Sequence, residues 1–206
     1  MKELINGSIK SEEIRMRHVW GREEWKDIRL DEARSALLSR SRVSPKLGDL
    51  TVRDLCCLAR EPWIPVGIYV FTEDERVIYT GKTHGRSFHE RMLSHVDHRD
   101  PIIGSPHLAQ LVQSLVKRGG AETSDKAVNR ILNMQITWLP VPSHQLDKDG
   151  HKLLIAHIER RLLWSQCLDP EFNSPRVKRN DAFSLKGVRY HLTGESLLGD
   201  PVEALK

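Results

Sequence analysis

A chain of 206 residues is long enough to bury a sizeable core and reads as one domain with extensions. Its formal net charge of +4 is a mild basic bias that suits a polyanionic partner, but alone it speaks only to solubility. No run approaches the roughly 18 apolar residues of a membrane span. No long apolar stretch follows Met1-Lys2-Glu3-Leu4, so a signal peptide is not expected. Cys56, Cys57 and Cys167 lack metal-like spacing and read as thiols of a reducing, cytoplasmic compartment. His95 and His98 have no Cys/His framework around them, so a structural zinc site is not expected.

Residues 1 to about 62 read as mostly helical. A helix starting at Asp31 or a neighbour runs through Ala33, Ala36, Leu37 and Leu38. Thr51-Val52-Arg53-Asp54 is a capping-type start for a second, with Leu55, Cys56, Leu58 and Ala59. The arm's arginines are interleaved with Glu12, Glu13, Glu23, Glu24, Asp27, Asp31 and Glu32, a pattern commoner on solvated helix faces than in DNA-binding patches. A recognition or dimerisation arm remains the functional alternative. Pro62-Trp63-Ile64-Pro65 then breaks the helix and delivers an extended chain.

Next comes a hairpin. Val66-Gly67-Ile68-Tyr69-Val70-Phe71 and Val77-Ile78-Tyr79-Thr80-Gly81 are β-branched and aromatic, joined by the polar stretch Thr72 to Arg76. Pairing Phe71 with Val77 sets Tyr69 opposite Tyr79 and Gly67 opposite Gly81. Opposed residues share a face, so two phenols flanked by bare backbone predict a platform rather than a core. By themselves these residues also fit an ordinary hairpin. Lys82-Thr83 follows, then Ser87 and Glu90 as a capping box that starts a helix near Phe88. On it Arg91 and His95 share a face, leaving Met92 and Val96 to bury the other side.

Ser105-Pro106 opens a further helix with Leu108, Leu111, Val112, Leu115 and Val116 on one side, and Gly119-Gly120 ends it. Ile131 to Val141 alternates Leu132, Met134, Ile136 and Trp138 against polar neighbours, which predicts a third strand. A helix over roughly His151 to Cys167 carries Glu159 amid Ile155, Ala156, Leu162 and Leu163. A carboxylate in an apolar stripe is costly unless it is paired or binds a metal. Asp169-Pro170-Glu171-Phe172-Asn173 is a turn that returns an amide to the domain. From Ser174 on, Arg176, Lys178, Arg179, Lys186 and Arg189 with Tyr190 and His191 form a basic tail that either tracks a phosphate backbone or is simply solvated.

In order and approximate spacing, Gly67-Ile68-Tyr69, Tyr79-Thr80-Gly81, Lys82, Arg91 with His95, Glu159 and Asn173 resemble the GIY-YIG nuclease superfamily. The resemblance spans residues 66 to 174, roughly half the chain. Thr80 departs from the name-giving motif, which has Ile there; it falls on the face opposite Tyr79 and touches packing rather than the site. The stretch from Arg99 to Arg130 exceeds the minimal module. The resemblance implies an α+β fold, a small antiparallel three-stranded sheet flanked by helices, with a helical N-terminal extension and an inserted helix. The parts are then an arm (1–62), a nuclease module (63–174) and a basic tail (175–206).

The resemblance also implies a single-metal phosphodiester hydrolysis. Glu159 would anchor one Mg²⁺ or Mn²⁺, with water and substrate oxygens filling the shell. Tyr69 would activate the water, its phenol lowered from about 10 by Lys82, Arg91 and the metal. Arg91 would bind the scissile phosphate through its planar fork. Tyr79 and His95 would position phosphate or water, or His95 would relay a proton. Asn173 would orient a neighbour, and Gly67, Gly81 and Lys82 would line the substrate path. Each residue has a bland alternative: Arg91 and His95 as surface residues, Glu159 paired to Arg160 or Arg161, Asn173 as a turn stabiliser.

The expected function is a metal-dependent DNA endonuclease of restriction or mobile-element type acting on duplex DNA. One module cuts one strand, so a double-strand break calls for a homodimer or two visits. No membrane partner and no small-molecule cofactor are expected. Two alternatives stay open: a structure-specific repair nuclease, and a non-catalytic nucleic-acid-binding protein on the same scaffold. RNA as substrate is not excluded.

Overall fold

The computed structural model describes residues 29, 32–51, 54, 66–84, 88–97, 110–141, 152, 154–156, 158–159, 162–163, 172, 182–185, 188–193 and 200–203. The expectations for Pro62 to Pro65, Ser87, His98, Ser105-Pro106, Leu108, Arg160, Arg161, Asn173, the three cysteines and the basic residues 176, 178, 179 and 186 lie outside them. The fold is α+β. Helix α1 (Ala33–Ser41) leads to β1 (Gly67–Glu73) and β2 (Arg76–Thr83). Helices α2 (Phe88–Val96), α3 (Gln110–Lys117) and α4 (Ser124–Asn133) precede β3 (Gln135–Pro140). Helical residues then occur between 152 and 163. The antiparallel sheet has the order β2-β1-β3, so the third strand joins the hairpin as expected, on the open side of β1.

The hairpin register differs from the expected one. The strands run closer to the turn, which is only Asp74-Glu75, with φ of 47° and 60°. Two successive left-handed residues make the turn whose twist matches paired strands. Glu73 then pairs with Arg76 and Thr72 with Val77, but Phe71 pairs with Tyr79, so Ile78 is an extra residue. This β-bulge changes the pairing parity. Beyond it Tyr69 lies opposite Gly81 and Gly67 opposite Thr83, two residues away from the expected partners. The Ile78 carbonyl accepts the Phe172 N–H at 3.0 Å, which ties the turn before Asn173 to the sheet.

Each sheet face carries its own core. Tyr69, Phe71, Ile78, Ile136 and Trp138 pack against Phe88 and Met92 of α2, Leu111 and Leu115 of α3, and Ala127 and Ile131 of α4. On the other face Ile68, Val70, Val77 and Leu139 meet Ala33 and Leu37 of α1 and Ile155, Ile158 and Leu162. Residues 33–50 are thus built into the sheet's packing: Leu47 N–H donates to Met134 O, Ile136 N–H to Pro45 O, and Ser44 and Thr137 hydroxyls share a buried hydrogen bond of 3.0 Å. The Thr51 cap is formed reciprocally, Asp54 N–H donating to Thr51 Oγ1 and Thr51 N–H to Asp54 Oδ2.

Two elements correct the sequence reading. Residues Ile131 to Asn133 end a helix rather than begin a strand. Thr123 caps that helix by accepting from Lys126 N–H, and its buried Ala127 and Ile131 are four apart, a period the strand pattern concealed. The tail is not featureless: β4 (Ala182–Leu185), β5 (Val188–Thr193) and β6 (Asp200–Glu203) form a second antiparallel sheet. By contrast Gly119-Gly120 ends α3 as expected. Gly119 has φ of 74°, Gly120 N–H reaches Leu115 O, and Gly119 N–H reaches Val116 O. Arg130 locks this end down, donating to Gly120 O and by two nitrogens to Glu73, with its guanidinium over the Phe172 ring.

Glu75 holds a left-handed conformation that costs a side-chain-bearing residue about 1 kcal/mol, and its ion pair with Arg42 is exposed and contributes little. Glu75→Gly is therefore expected to stabilise the fold by about 0.5–1 kcal/mol in urea denaturation. A loss of stability would show that the Arg42 contact outweighs the strain.

Candidate active site

Four of the expected residues meet on one face of the sheet. Tyr69 and Tyr79 come from β1 and β2, and the bulge at Ile78 places both on the side that α2 covers. Arg91 and His95, one helical turn apart on α2, reach down to them. Arg91 Nε donates to Tyr69 Oη at 3.0 Å, and Tyr69 Oη is 2.6 Å from His95 Nε2. With the ring proton on Nδ1, Tyr69 donates to Nε2, the arrangement a proton relay needs. Tyr79 completes the cluster, its ring centroid 6.3 Å from that of Tyr69 and 5.3 Å from that of His95.

The platform expectation holds for one phenol and fails for the other. Tyr79 is partly exposed, whereas Tyr69 is wholly buried, stacked on Trp138 with ring planes 14° apart. Gly81 explains the fit. A Cβ there would fall inside the van der Waals envelope of Tyr69 Cζ and Oη, so the bare backbone of Gly81 receives the phenol and is not an open path for substrate. Gly67 is likewise engaged, its N–H donating to Thr83 Oγ1 at 3.2 Å. His95 is also buried, boxed by the rings of Tyr69, Phe71 and Tyr79 at centroid distances of 5.3–5.5 Å. The face of α2 that Arg91 and His95 share is therefore an inward one, and Glu90 and Leu93 are the exposed residues.

Electrostatics follow from this burial. Desolvation holds the Tyr69 phenol well above its ordinary value, Tyr79 and Glu159 push the same way, and Arg91 only partly opposes them. Tyr79 is raised too, by burial first, against the pull of Arg91. The expected lowering of Tyr69 by cations does not occur in the free protein, because burial outweighs Arg91 and because Lys82 is engaged elsewhere. Burial and then the Arg91 charge lower His95 to about 3, so it is neutral at physiological pH. Burial also lowers Arg91, but the two phenols outweigh this and its pKa rises, so it stays a cation.

Lys82 and Glu159 meet on the opposite face. Lys82 pairs with Ile68 across the hairpin and shares its side, where the helix between 152 and 163 packs. Lys82 Nζ donates to Glu159 Oε2 at 2.6 Å, with side chains 27% and 15% exposed. Glu159 is thus paired, as a carboxylate among Ile155, Ile158 and Leu162 must be, and its partner among the described residues is Lys82. Its charge still reaches both tyrosines, raising each. The sequence reading missed His84, just beyond β2. Burial lowers its pKa, and the charges of Lys82, Lys152 and Arg91 add to this, marking a cationic zone beside the cluster. Lys152 lies seven residues before Glu159, two turns along the same helix face, a spacing that the sequence displays.

Among the described residues no three His, Cys, Asp or Glu side chains group as a ready-made metal cage. The donor set nonetheless fits a hard divalent ion that keeps most of its water. Glu159 is one partly shielded carboxylate, and it already holds a cation. No protein-family model, curated protein or solved structure matches the chain.

Two expectations follow. Gly81→Ala should destabilise the fold by about 2 kcal/mol by overpacking Tyr69. In a Tyr69→Ala background the same change should cost far less, and equal costs would refute the close approach. His95 should also impose a pH dependence. Its folded pKa of about 3 lies below its unfolded value near 6.5, so its contribution is complete above pH 6.5. As pH falls from 6.5 towards 3 that contribution is lost, at up to about 1.4 kcal/mol per pH unit. Comparing urea denaturation of wild type and His95→Gln over this range checks it: the variant's curve should be flatter.

Proposed function

We propose that this protein is a metal-dependent DNA endonuclease of the GIY-YIG type, of restriction or mobile-element kind. The support is the convergence of Tyr69, Tyr79, Arg91 and His95 into one cluster from three separate elements, with Arg91 and His95 both hydrogen-bonded to Tyr69, the Tyr79 ring beside them and the charge of Glu159 bearing on both phenols. A structural core has little use for a guanidinium aimed at a buried phenol beside a neutral imidazole. A hydrolytic site for a phosphodiester needs those groups.

In the free protein Arg91 is docked on Tyr69 Oη. A phosphodiester at the partly exposed Arg91 draws the guanidinium fork to its oxygens and leaves a lone pair of Tyr69 Oη free to accept from a water. The water's proton then passes to Tyr69 as the phenol's own proton passes to His95 Nε2. Two O–H bonds break, one in the water and one in the phenol, while an O–H bond forms at the phenol and an N–H bond on the ring; the hydroxide so made attacks phosphorus as the bond to the leaving oxygen breaks. Burial is the larger opposition to a charge on His95 and the Arg91 cation adds to it; a phosphate beside Arg91 offsets the second part alone. Tyr79, the partly exposed of the two tyrosines, steadies the phosphate or water. A divalent ion held at Glu159 would neutralise charge on the phosphoryl and leaving oxygens. Lys82 and Lys152, beside a His84 that their charges help keep neutral, supply positive potential for flanking phosphates.

Supercoiled plasmid with Mg²⁺ is the test. Wild type is expected to nick or linearise it, and Tyr69→Phe, Arg91→Ala and Glu159→Gln should each reduce the rate at least about 100-fold. Cutting confined to branched DNA would instead favour a repair nuclease. Binding without cleavage on every DNA, or cleavage untouched by Glu159→Gln, would overturn the metal-dependent reading.

A further inference from the structure

The Lys82–Glu159 contact joins a strand to a helix 77 positions on in the chain, between two side chains that are mostly out of water. An ion pair in such a place is held firmly, since each charge would otherwise stand desolvated alone. Glu159 is also the one carboxylate that the proposed function asks to hold a divalent ion. Its Oε2 cannot keep an ammonium at 2.6 Å and take a doubly charged cation alongside without strong repulsion. Lys82, on a flexible four-carbon stem near the end of an edge strand, is the partner able to move.

We infer that Lys82 is a tethered counter-ion for Glu159 that competes with a divalent cation for the carboxylate and changes partner when that cation is bound. The inference rests on the metal-dependent reading of Glu159. The surroundings indicate where the ammonium goes. Lys82, Lys152 and Arg91 all bear on His84, so beside Glu159 this end of the hairpin is rich in positive charge. A nucleic-acid phosphate is the anion that such a zone attracts. Lys82 thereby exchanges a protein carboxylate for a phosphate oxygen, and the carboxylate becomes available as the phosphate arrives. Without nucleic acid, the pair keeps Glu159 neutralised and the site's affinity for free metal low.

Calorimetric titration of Mn²⁺ into the full-length protein without DNA tests this directly. Lys82→Met removes the competitor, and Lys82→Gln keeps a hydrogen-bond donor for Glu159 without the charge, so that a folded variant is secured. Either should bind Mn²⁺ roughly fivefold to tenfold more tightly than wild type. Glu159→Gln should bind none. Wild-type affinity in a folded Lys82→Gln variant, or weaker binding, would overturn the competition while leaving Glu159 as a ligand. Binding unchanged in Glu159→Gln, or absent from wild type and both Lys82 variants, would overturn the metal reading and this inference with it.

Discussion

The candidate site depends on one extra residue in an edge strand. A two-residue turn at Asp74-Glu75 sets Thr72 opposite Val77, and an uninterrupted ladder would then oppose Tyr69 with Thr80. Tyr79 and Gly81 would point to the other face, since side chains alternate. The bulge at Ile78 reverses that parity, brings Tyr79 beside Tyr69, and puts Gly81 under the phenol ring. Everything else in the cluster is then geometry: α2 crosses this face, and Arg91 and His95, one turn apart, drop onto the two phenols.

The two faces of the sheet divide the work. One holds the phenols, imidazole and guanidinium in an aromatic setting that keeps His95 neutral and both tyrosines protonated. The other holds the charged pair of Lys82 and Glu159 at the rim of an aliphatic core. The faces communicate through charge, because Glu159 raises both phenols. In the free protein each cation rests on a protein acceptor, Arg91 on Tyr69 and Lys82 on Glu159. Such docking keeps a desolvated site electrically balanced until a polyanion replaces the acceptors.

Around the site, the scaffold is stiffened by contacts remote from the chemistry. Arg130 joins Glu73 at the tip of the hairpin, the end of α3 at Gly120, and the Phe172 ring. Phe172 in turn bonds to the carbonyl of the bulged Ile78. The irregularity on which the cluster depends is therefore pinned from outside the sheet, by a backbone hydrogen bond and an arginine that spans three elements.

Sequence patterns carried the local facts. The hairpin, α1, the Thr51 cap, the start of α2, the glycine stop after α3 and the third strand all follow from short-range periodicity and capping chemistry. Even the shared face of Tyr69 and Tyr79 was legible, although through a register two residues off, because an even offset preserves the face. What depends on contacts across the chain was not legible. Alternation near Ile131 hid a helix, since three or four apolar residues fit either period until a core selects one. Tyr69 as a buried phenol, His95 as a neutral base and the joining of Lys82 to Glu159 follow from packing and desolvation, which only the assembled sheet and its helices supply.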